Sequence, residues 1–179
     1  VTVLDLTPGY VAAGEWLTAR AGLSELVEFV CGDALAAPLP ADHDVVLTQH
    51  STMNIPDKPR LFARLRDALA PRGCYLFHEI VAGDGEVIWP VPWAASGATS
   101  FLQQGDVMQR DLEAAGFRLE HFEDVSAATV AWARSRPQGE PPPLGLHVLC
   151  GPEFRTLFAN LTTNLADGRV RVVRGRARR

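Results

Sequence analysis

The chain has 179 residues and a mass of 19.4 kDa, enough for one globular domain with a sizeable core. With 47% hydrophobic and 21% charged residues it is neither disordered nor fibrous, and no apolar run has the length of a membrane span. The net charge is −4, but the last eleven residues hold six arginines and no acid. The other 11 basic and 21 acidic residues leave −10 on the body, which disfavours nucleic acid as the main ligand.

The first half of the chain alternates apolar runs with helical periodicity. Thr7 and Pro8 have the pattern of an N-cap followed by a first helical residue, and this helix continues to about Ala21. A second helix has Pro59 near its start and ends before a break at Pro71-Arg72-Gly73. Strands are predicted at Val1–Leu6, Leu26–Cys31, Asp44–Thr48 and Cys74–His78.

The second half continues the alternation with longer loops. The predicted elements are a helix at Asp106–Ala115, a strand at Phe117–Val125, a helix at Ala127–Arg136, a loop at Gln138–Pro143, a helix at about Pro152–Leu165 and a final strand at Arg169–Arg174. Together the elements predict an α/β fold whose sheet is mainly parallel and has helices on both faces. The terminal arginines are interpreted as a solvated tail or an exposed final strand.

The cysteines and histidines show no metal-ligand spacing. Cys31, Cys74 and Cys150 form no CxxC pair, which argues against a disulfide framework or a structural zinc and for a reducing, cytoplasmic setting. The histidines at 43, 121 and 147 are scattered as well, so no metal site is predicted.

Polar residues follow four successive predicted strands: Asp5, Gly32-Asp33, Gln49-His50 and His78-Glu79. Parallel strands bring their carboxyl ends to one edge of a sheet, where ligands bind. Asp5 suits the two hydroxyls of a ribose, and Asp33 could accept from an adenine amino group. The pair fits an adenosine-containing cofactor and does not separate a nicotinamide cofactor from S-adenosylmethionine. Each acid could instead cap the helix that follows it.

Four motifs in order carry a family resemblance: Val3-Leu4-Asp5-Leu6, Val30-Cys31-Gly32-Asp33-Ala34, Asp44-Val45-Val46 and Leu69-Ala70-Pro71-Arg72-Gly73, with Leu112–Phe117 as a further match. In this series the chain resembles a class I S-adenosylmethionine-dependent methyltransferase of the small-molecule type. The resemblance implies a Rossmann-like fold with a reversed last strand. It also places the family's first strand and glycine-rich loop before Val1, so residues 1–179 are expected to be a methyltransferase domain truncated at its amino terminus.

The resemblance implies roles for residues at the strand ends. Asp5 would bind the ribose hydroxyls, Leu6 would line the adenine pocket, Asp33 would bind the adenine amino group and Ala34 would offer a backbone N–H. Gln49 would flank the cofactor's methyl group, and His50 is the candidate general base. The candidate acceptor-binding residues are Met53, Asn54, His78 and Trp93. His50 could also merely pack near the site, and the Trp89–Trp93 loop could pack on the core.

The expected reaction is methyl transfer from S-adenosylmethionine to nitrogen, oxygen or carbon of a small molecule. One alternative is a nicotinamide-dependent oxidoreductase, against which no Tyr-x-x-x-Lys constellation occurs. The other is a degenerate or truncated domain with a binding or dimerisation role. The expected partner is a small-molecule acceptor, with a possible homodimer and neither nucleic acid nor membrane.

Overall fold

The computed structural model describes residues 1–135 and 143–179 and divides into two compact units, Val1–Ala41 and Asp42–Arg179. The predicted loop at Gln138–Pro143 lies outside the described residues except for Pro143. The last residue of the helix predicted at Ala127–Arg136 lies outside them too. In the two described ranges, no helix combines the length and the apolar character needed to cross a membrane.

The first unit is a strand–helix–strand motif. Strand β1 (Thr2–Asp5) and strand β2 (Glu28–Cys31) pair in parallel, with Asp5 opposite Cys31, and helix α1 (Pro8–Arg20) connects them. Gly14 allows α1 to lie close to β2, because a Cβ at this position would overlap the ring of Phe29. The predicted elements of this unit are confirmed to within a few residues.

The second unit has a four-stranded sheet in the order β3-β4-β6-β5. Strand β3 runs parallel to β4, whereas β6 is antiparallel to both β4 and β5. The fold is therefore α/β with a reversed last strand, as predicted. The strands are β3 (His43–Gln49), β4 (Leu69–Ala82), β5 (Arg118–Asp124) and β6 (Val170–Arg178), and the helices are α2 (Lys58–Ala68), α3 (Gly105–Ala114), α4 (Ser126–Ser135), α5 (Leu146–Cys150) and α6 (Phe154–Ala166).

Strand β4 is longer than predicted, since the expected break at Pro71-Arg72-Gly73 lies inside it. His43 of β3 is opposite Leu69, whereas Val45, two residues later, is already opposite Cys74. The break is therefore accommodated as an irregularity in the pairing. Pro71 has no N–H to contribute to a ladder, which is why a bulge is a suitable place for it.

The core of the second unit lies on both sides of β4. On one side the rings of Phe62, Tyr75, Phe77 and Phe122 form a chain of tilted contacts with centroids 5.4–6.3 Å apart. On the other side an apolar cluster contains Met53, Ile80, Leu165, Val170 and Val172. Gly175 in β6 is required by this packing, because a Cβ there would overlap both the Phe77 ring and the His121 carbonyl.

The terminal arginines form neither a tail nor an edge strand, because β6 lies between β4 and β5. Their exposed side chains pair with acids: Glu120 lies 2.8 Å from Arg176 and 2.5 Å from Arg118, and Glu123 lies 2.8 Å from Arg174. The uneven charge seen in the sequence is thus balanced across the β5–β6 pair. The predicted final strand at Arg169–Arg174 extends to Arg178 because it pairs with β4 and β5 over this whole length, and Ala177 in the added part is buried.

Candidate active site

In the first unit, two carboxylates stand at the carboxyl end of the parallel strand pair. Asp5 ends β1, and its Oδ1 accepts a hydrogen bond from the Thr7 N–H at 2.7 Å. Asp33 follows β2, and its Oδ1 accepts from the Leu35 N–H at 2.8 Å. Both acids thus make the same local turn, in which a side chain binds the backbone two residues later. The Gly32 N–H donates to the Asp5 carbonyl at 2.9 Å and ties the two strand ends together.

These bonds partly support the capping interpretation of the two acids, because each carboxylate serves its own loop. A carboxylate has two oxygens and about four lone-pair sites, so one N–H does not exhaust it. Leu6 is 69% exposed, and Ala34 is half-buried next to Asp33. Their predicted contacts with adenine remain predictions.

In the second unit, two imidazoles stack where β3 ends beside β4, although β4 does not end at His78 as predicted and continues to Ala82. The rings of His50 and His78 have centroids 4.8 Å apart and planes inclined by 25°. The His50 N–H donates to the His78 carbonyl at 2.9 Å, and Gln49 is opposite His78 in the strand register. The backbone of His50 has φ +48°, in the left-handed region that few residues other than glycine adopt. The structure therefore brings together three of the predicted site residues.

Both imidazoles are held in the neutral form. Loss of water around His50, together with its neighbour His78, lowers the pKa of His50 to about 4, although the residue is exposed on one side. Burial and the nearby Arg174 guanidinium lower the pKa of His78 as well. The Nδ1 atom of His78 is buried and has no hydrogen-bond partner in the described part of the chain.

Next to His78 in β4, the buried Glu79 binds the loop that follows β3. Oε2 of Glu79 accepts from the backbone N–H groups of Ser51 at 3.1 Å and Thr52 at 3.2 Å, and the Thr48 hydroxyl also bonds to this carboxylate. Thr48 Oγ1 in turn lies 2.6 Å from the hydroxyl of the fully buried Tyr75. Burial raises the pKa of Glu79, and these hydrogen bonds act in the opposite direction.

A buried lysine, Lys58, binds the backbone on both sides of this part of the site. Lys58 Nζ donates to the carbonyl of Phe101 at 2.8 Å and to that of Ile55. Burial lowers the pKa of Lys58 to about 8, and the carboxylates of Glu79 and Asp111 act against this shift. The lysine therefore joins the start of α2 to the segment that precedes α3.

The segment between β4 and α3, residues 86–101, is fastened by side-chain amides and is named here the wall segment. Nδ2 of Asn54 donates to the carbonyls of Trp93 and Thr99, both at 2.9 Å. Asn164 of α6, which is fully buried, pairs with both the N–H and the C=O of Ile88. The segment is therefore packed against the body of the second unit, in agreement with the alternative of a loop packed on the core.

The predicted acceptor-binding residues have different surroundings. Met53 is only 2% exposed and belongs to the apolar cluster, so its burial does not support a contact with an acceptor. Trp93 packs against the same cluster, and its Nε1 donates to the Ser100 hydroxyl at 3.0 Å. The Asn54 amide donates to the wall segment, whereas His78 lies inside β4 opposite the last residue of β3. No acceptor contact is established for any of them, and their roles remain predictions.

Sequence reasoning named Glu79 as a strand-end residue without giving it a role, and it did not identify Thr48, Tyr75 or Asn164. A signal for Glu79 was available. In a strand, residues 75, 77, 79 and 81 face the same side, and three of them are apolar or aromatic. A carboxylate on such a face must be satisfied by nearby donors. In the described ranges, no group of three or more His, Cys, Asp or Glu is placed to hold a metal ion.

Comparison with known proteins places this geometry in a family context. Residues 1–77 match the family model described as a methyltransferase domain. No curated protein sequence matches the chain.

Solved structures align over almost the whole chain. The geranyl diphosphate C-methyltransferase of Streptomyces coelicolor A3(2), solved with Mg²⁺, geranyl diphosphate and S-adenosyl-L-homocysteine, has a TM-score of 0.78 at 14% identity, covering 100% of this chain and 64% of that one. The [4+2]-cyclase SpnF has a TM-score of 0.70 at 21% identity, covering 99% and 66%. The O-methyltransferase of a trans-AT PKS multienzyme of Brevibacillus brevis, solved with S-adenosyl-L-homocysteine, has a TM-score of 0.73 at 14% identity, covering 98% and 57%.

The chain thus spans between 57% and 66% of the length of these three structures. At identities of 14–21% the likeness concerns the fold. The chain therefore has the class I methyltransferase fold, and its first 77 residues match a model described as a methyltransferase domain.

Proposed function

We propose that the chain takes part in transferring a methyl group from S-adenosylmethionine to a small-molecule acceptor. The observation that carries this proposal is the pair of oriented carboxylates, Asp5 and Asp33, at the carboxyl ends of adjacent parallel strands. The three free cysteines support a reducing, cytoplasmic setting. The homodimer remains a prediction.

The hydrogen-bond acceptors of the first unit fit the adenosine part of this cofactor. Adenosine presents two adjacent ribose hydroxyls and an exocyclic amino group, all of which donate hydrogen bonds. An ionised carboxylate can only accept hydrogen bonds. The local turns of Asp5 and Asp33 hold two such groups at the strand ends. Asp5 would hold the ribose, and Asp33 the adenine amino group. When bound, the cofactor supplies a methyl group activated on a sulfonium sulfur.

The residues of the second unit bear on the acceptor. His50 is unprotonated at pH 7, so its ring can accept a proton or a hydrogen bond from an acceptor group. A pKa of about 4 also makes this ring a weak base. It therefore suits an acceptor whose own proton is acidic, such as a phenol, an enol or a carbon between two carbonyl groups. We propose an oxygen or carbon acceptor of this kind rather than an amine, which reacts through its lone pair.

The hydrogen bonds between the wall segment and the loop after β3 support a role of this region in positioning the acceptor. Asn54 lies on the loop that begins with His50 and holds the backbone of Trp93 and Thr99. Because that loop and the wall segment are joined in this way, an acceptor bound against either one would meet a fixed surface. Positioning of this kind provides much of the rate in methyl transfer, which is an in-line displacement.

The test is calorimetric titration of S-adenosylhomocysteine into the wild type and the Asp5→Asn variant. The amide oxygen of asparagine can still accept from Thr7, so the turn is kept while a carboxylate acceptor is lost. We expect affinity to fall by about 1–3 kcal/mol, the cost of leaving a bound hydroxyl without its acceptor. Asp67→Asn, on an exposed position of α2, is the matched control and should bind as the wild type does. Unchanged affinity in Asp5→Asn would remove the ribose assignment.

A further inference from the structure

Glu79 is an ionisable group with no assigned role in the methyl transfer. It is 0% exposed, on the face of β4 that also carries Tyr75 and Phe77, and its Oε1 has no hydrogen-bond partner in the described part of the chain. Burying a carboxylate in apolar surroundings is costly unless its hydrogen bonds offset the loss of water. The position of its partners therefore indicates what the acid stabilises.

All the hydrogen-bond partners recorded for the carboxylate lie on β3 and on the loop that leaves it. The 3₁₀ turn Thr52–Asn54 begins after Ser51, whose own side chain makes no capping bond. Glu79, from a different strand, accepts from the first N–H groups of that turn instead. It thus acts as a cap provided from outside the turn.

His50 lies directly before these capped residues. The backbone N–H groups of residues 50, 51 and 52 are all bound to β4, the first by the His78 carbonyl and the other two by Glu79. Residues 50–52 are named here the His50 turn. A left-handed non-glycine residue is strained and persists only when its surroundings hold it. These three bonds are what holds it.

The Glu79 carboxylate is itself held by a hydrogen bond with the Thr48 hydroxyl. Thr48 Oγ1 also lies 2.6 Å from the hydroxyl of Tyr75, which is fully buried. Tyr75 is anchored among Phe62, Phe77 and Phe117, so the chain of bonds runs from the core to the His50 turn.

We propose that Glu79 is a positioning residue, which fixes the His50 turn through the backbone N–H groups of Ser51 and Thr52 and so places the His50 imidazole against His78. The inference rests on the proposed function, because it is the proposed role of His50 toward the acceptor that this placement serves. Glu79 acts through its reach, since the bonds need a carboxylate or amide oxygen at the end of a two-methylene side chain. Its negative charge is secondary.

The experiment follows the His50 ring signals by NMR as a function of pH in the wild type, Glu79→Asp and Glu79→Gln. Glu79→Asp keeps the charge and shortens the side chain, whereas Glu79→Gln keeps the length and an acceptor oxygen. We expect the His50 pKa to be about 4 in the wild type, to rise toward 6.5 in Glu79→Asp as the ring moves away from His78 and becomes fully solvated, and to stay near the wild-type value in Glu79→Gln. Leu112→Ala, on the buried face of α3, is the control for general destabilisation and should leave the value unchanged.

No shift in Glu79→Asp, a shift in Glu79→Gln as large as in Glu79→Asp, or an equal shift in Leu112→Ala would overturn the proposal. A measurement on the wild type keeps it testable if Glu79→Asp does not fold. The amide protons of Ser51 and Thr52 should exchange slowly although they begin a turn of only three residues, and fast exchange would overturn the proposal. Neither readout involves cofactor or acceptor. Failure of the proposed methyl transfer would instead be seen in the S-adenosylhomocysteine titration.

Discussion

The rings of His50 and His78 stack at 4.8 Å between centroids, and the backbone N–H of the first donates to the carbonyl of the second at 2.9 Å. His50 follows the last residue of β3, and His78 lies inside β4 opposite Gln49, so the contact follows from the β3–β4 register. Two imidazolium ions could not occupy this arrangement without repulsion. The pKa of each ring is lowered, which favours the neutral pair at physiological pH, and its protonation state connects the site to the pH dependence of stability.

The first prediction concerns acid. The pKa of His50 is about 4 in the folded chain and near 6.5 when unfolded, so the unfolded state takes up the proton first. The contribution of neutral His50 to stability is present above pH 6.5 and is lost as the pH falls from 6.5 toward 4. Urea unfolding at pH 7.5 and pH 5 should show a larger loss in the wild type than in His50→Gln. Equal losses in the two proteins would contradict the shift.

The second prediction concerns the wall segment. Asn164→Ala leaves both the N–H and the C=O of Ile88 without partners in a partly buried place. Each unsatisfied group costs about 1–3 kcal/mol, so the free energy of unfolding should fall by at least that amount. Asn160→Ala removes a single bond, to the Pro90 carbonyl, and is the matched control with a smaller loss. Equal losses measured by urea unfolding would show that the Ile88 pairing is unimportant.

The third prediction concerns the arginines of β6. Glu120 lies within 3.5 Å of Arg118, Arg176 and Arg178, so Glu120→Gln leaves three cations that repel one another. The variant should melt at a lower temperature than the wild type, and added salt should reduce the difference by screening the repulsion. Glu113→Gln, on the exposed face of α3, should melt as the wild type does. A difference that does not respond to salt would argue against an electrostatic origin.

The fourth prediction concerns close packing in β6. Gly175→Ala forces a methyl group into the Phe77 ring and the His121 carbonyl, and overpacking of this kind typically costs about 1–3 kcal/mol. Gly9→Ala, in α1, meets no atom within 4 Å and should be neutral or stabilising, because alanine favours helix. Thermal unfolding of both variants checks the contrast. A neutral Gly175→Ala would mean that the strands can separate to accept the methyl group.

Periodicity and turn residues predicted most of the fold. The strands β1, β2, β3 and β5 and the helices α1, α2 and α3 lie within a few residues of their predicted positions, because each has a strong local pattern. The extents of β4 and β6 were underestimated. Pro71 and the run of arginines oppose strand formation locally, and tertiary pairing with β3, β4 and β5 outweighs that preference.

The candidate site was predictable only in part. Residues at the ends of predicted strands could be named from the sequence because parallel strands place them at one edge. The link from Tyr75 through Thr48 to Glu79 could not, since it depends on which backbone N–H groups the loop after β3 presents. The burial of Met53 and the use of the Asn54 amide on the wall segment likewise depend on tertiary packing.

The most direct test of the central claim is calorimetric titration of the purified protein with S-adenosylhomocysteine and, separately, with NAD⁺. Both ligands contain an adenosine, and only the first is the product of methyl transfer. The account predicts saturable binding of S-adenosylhomocysteine that Asp5→Asn weakens, and no comparable binding of NAD⁺. Binding of NAD⁺ alone would contradict the account in favour of an oxidoreductase, and binding of neither would contradict it in favour of a domain without cofactor.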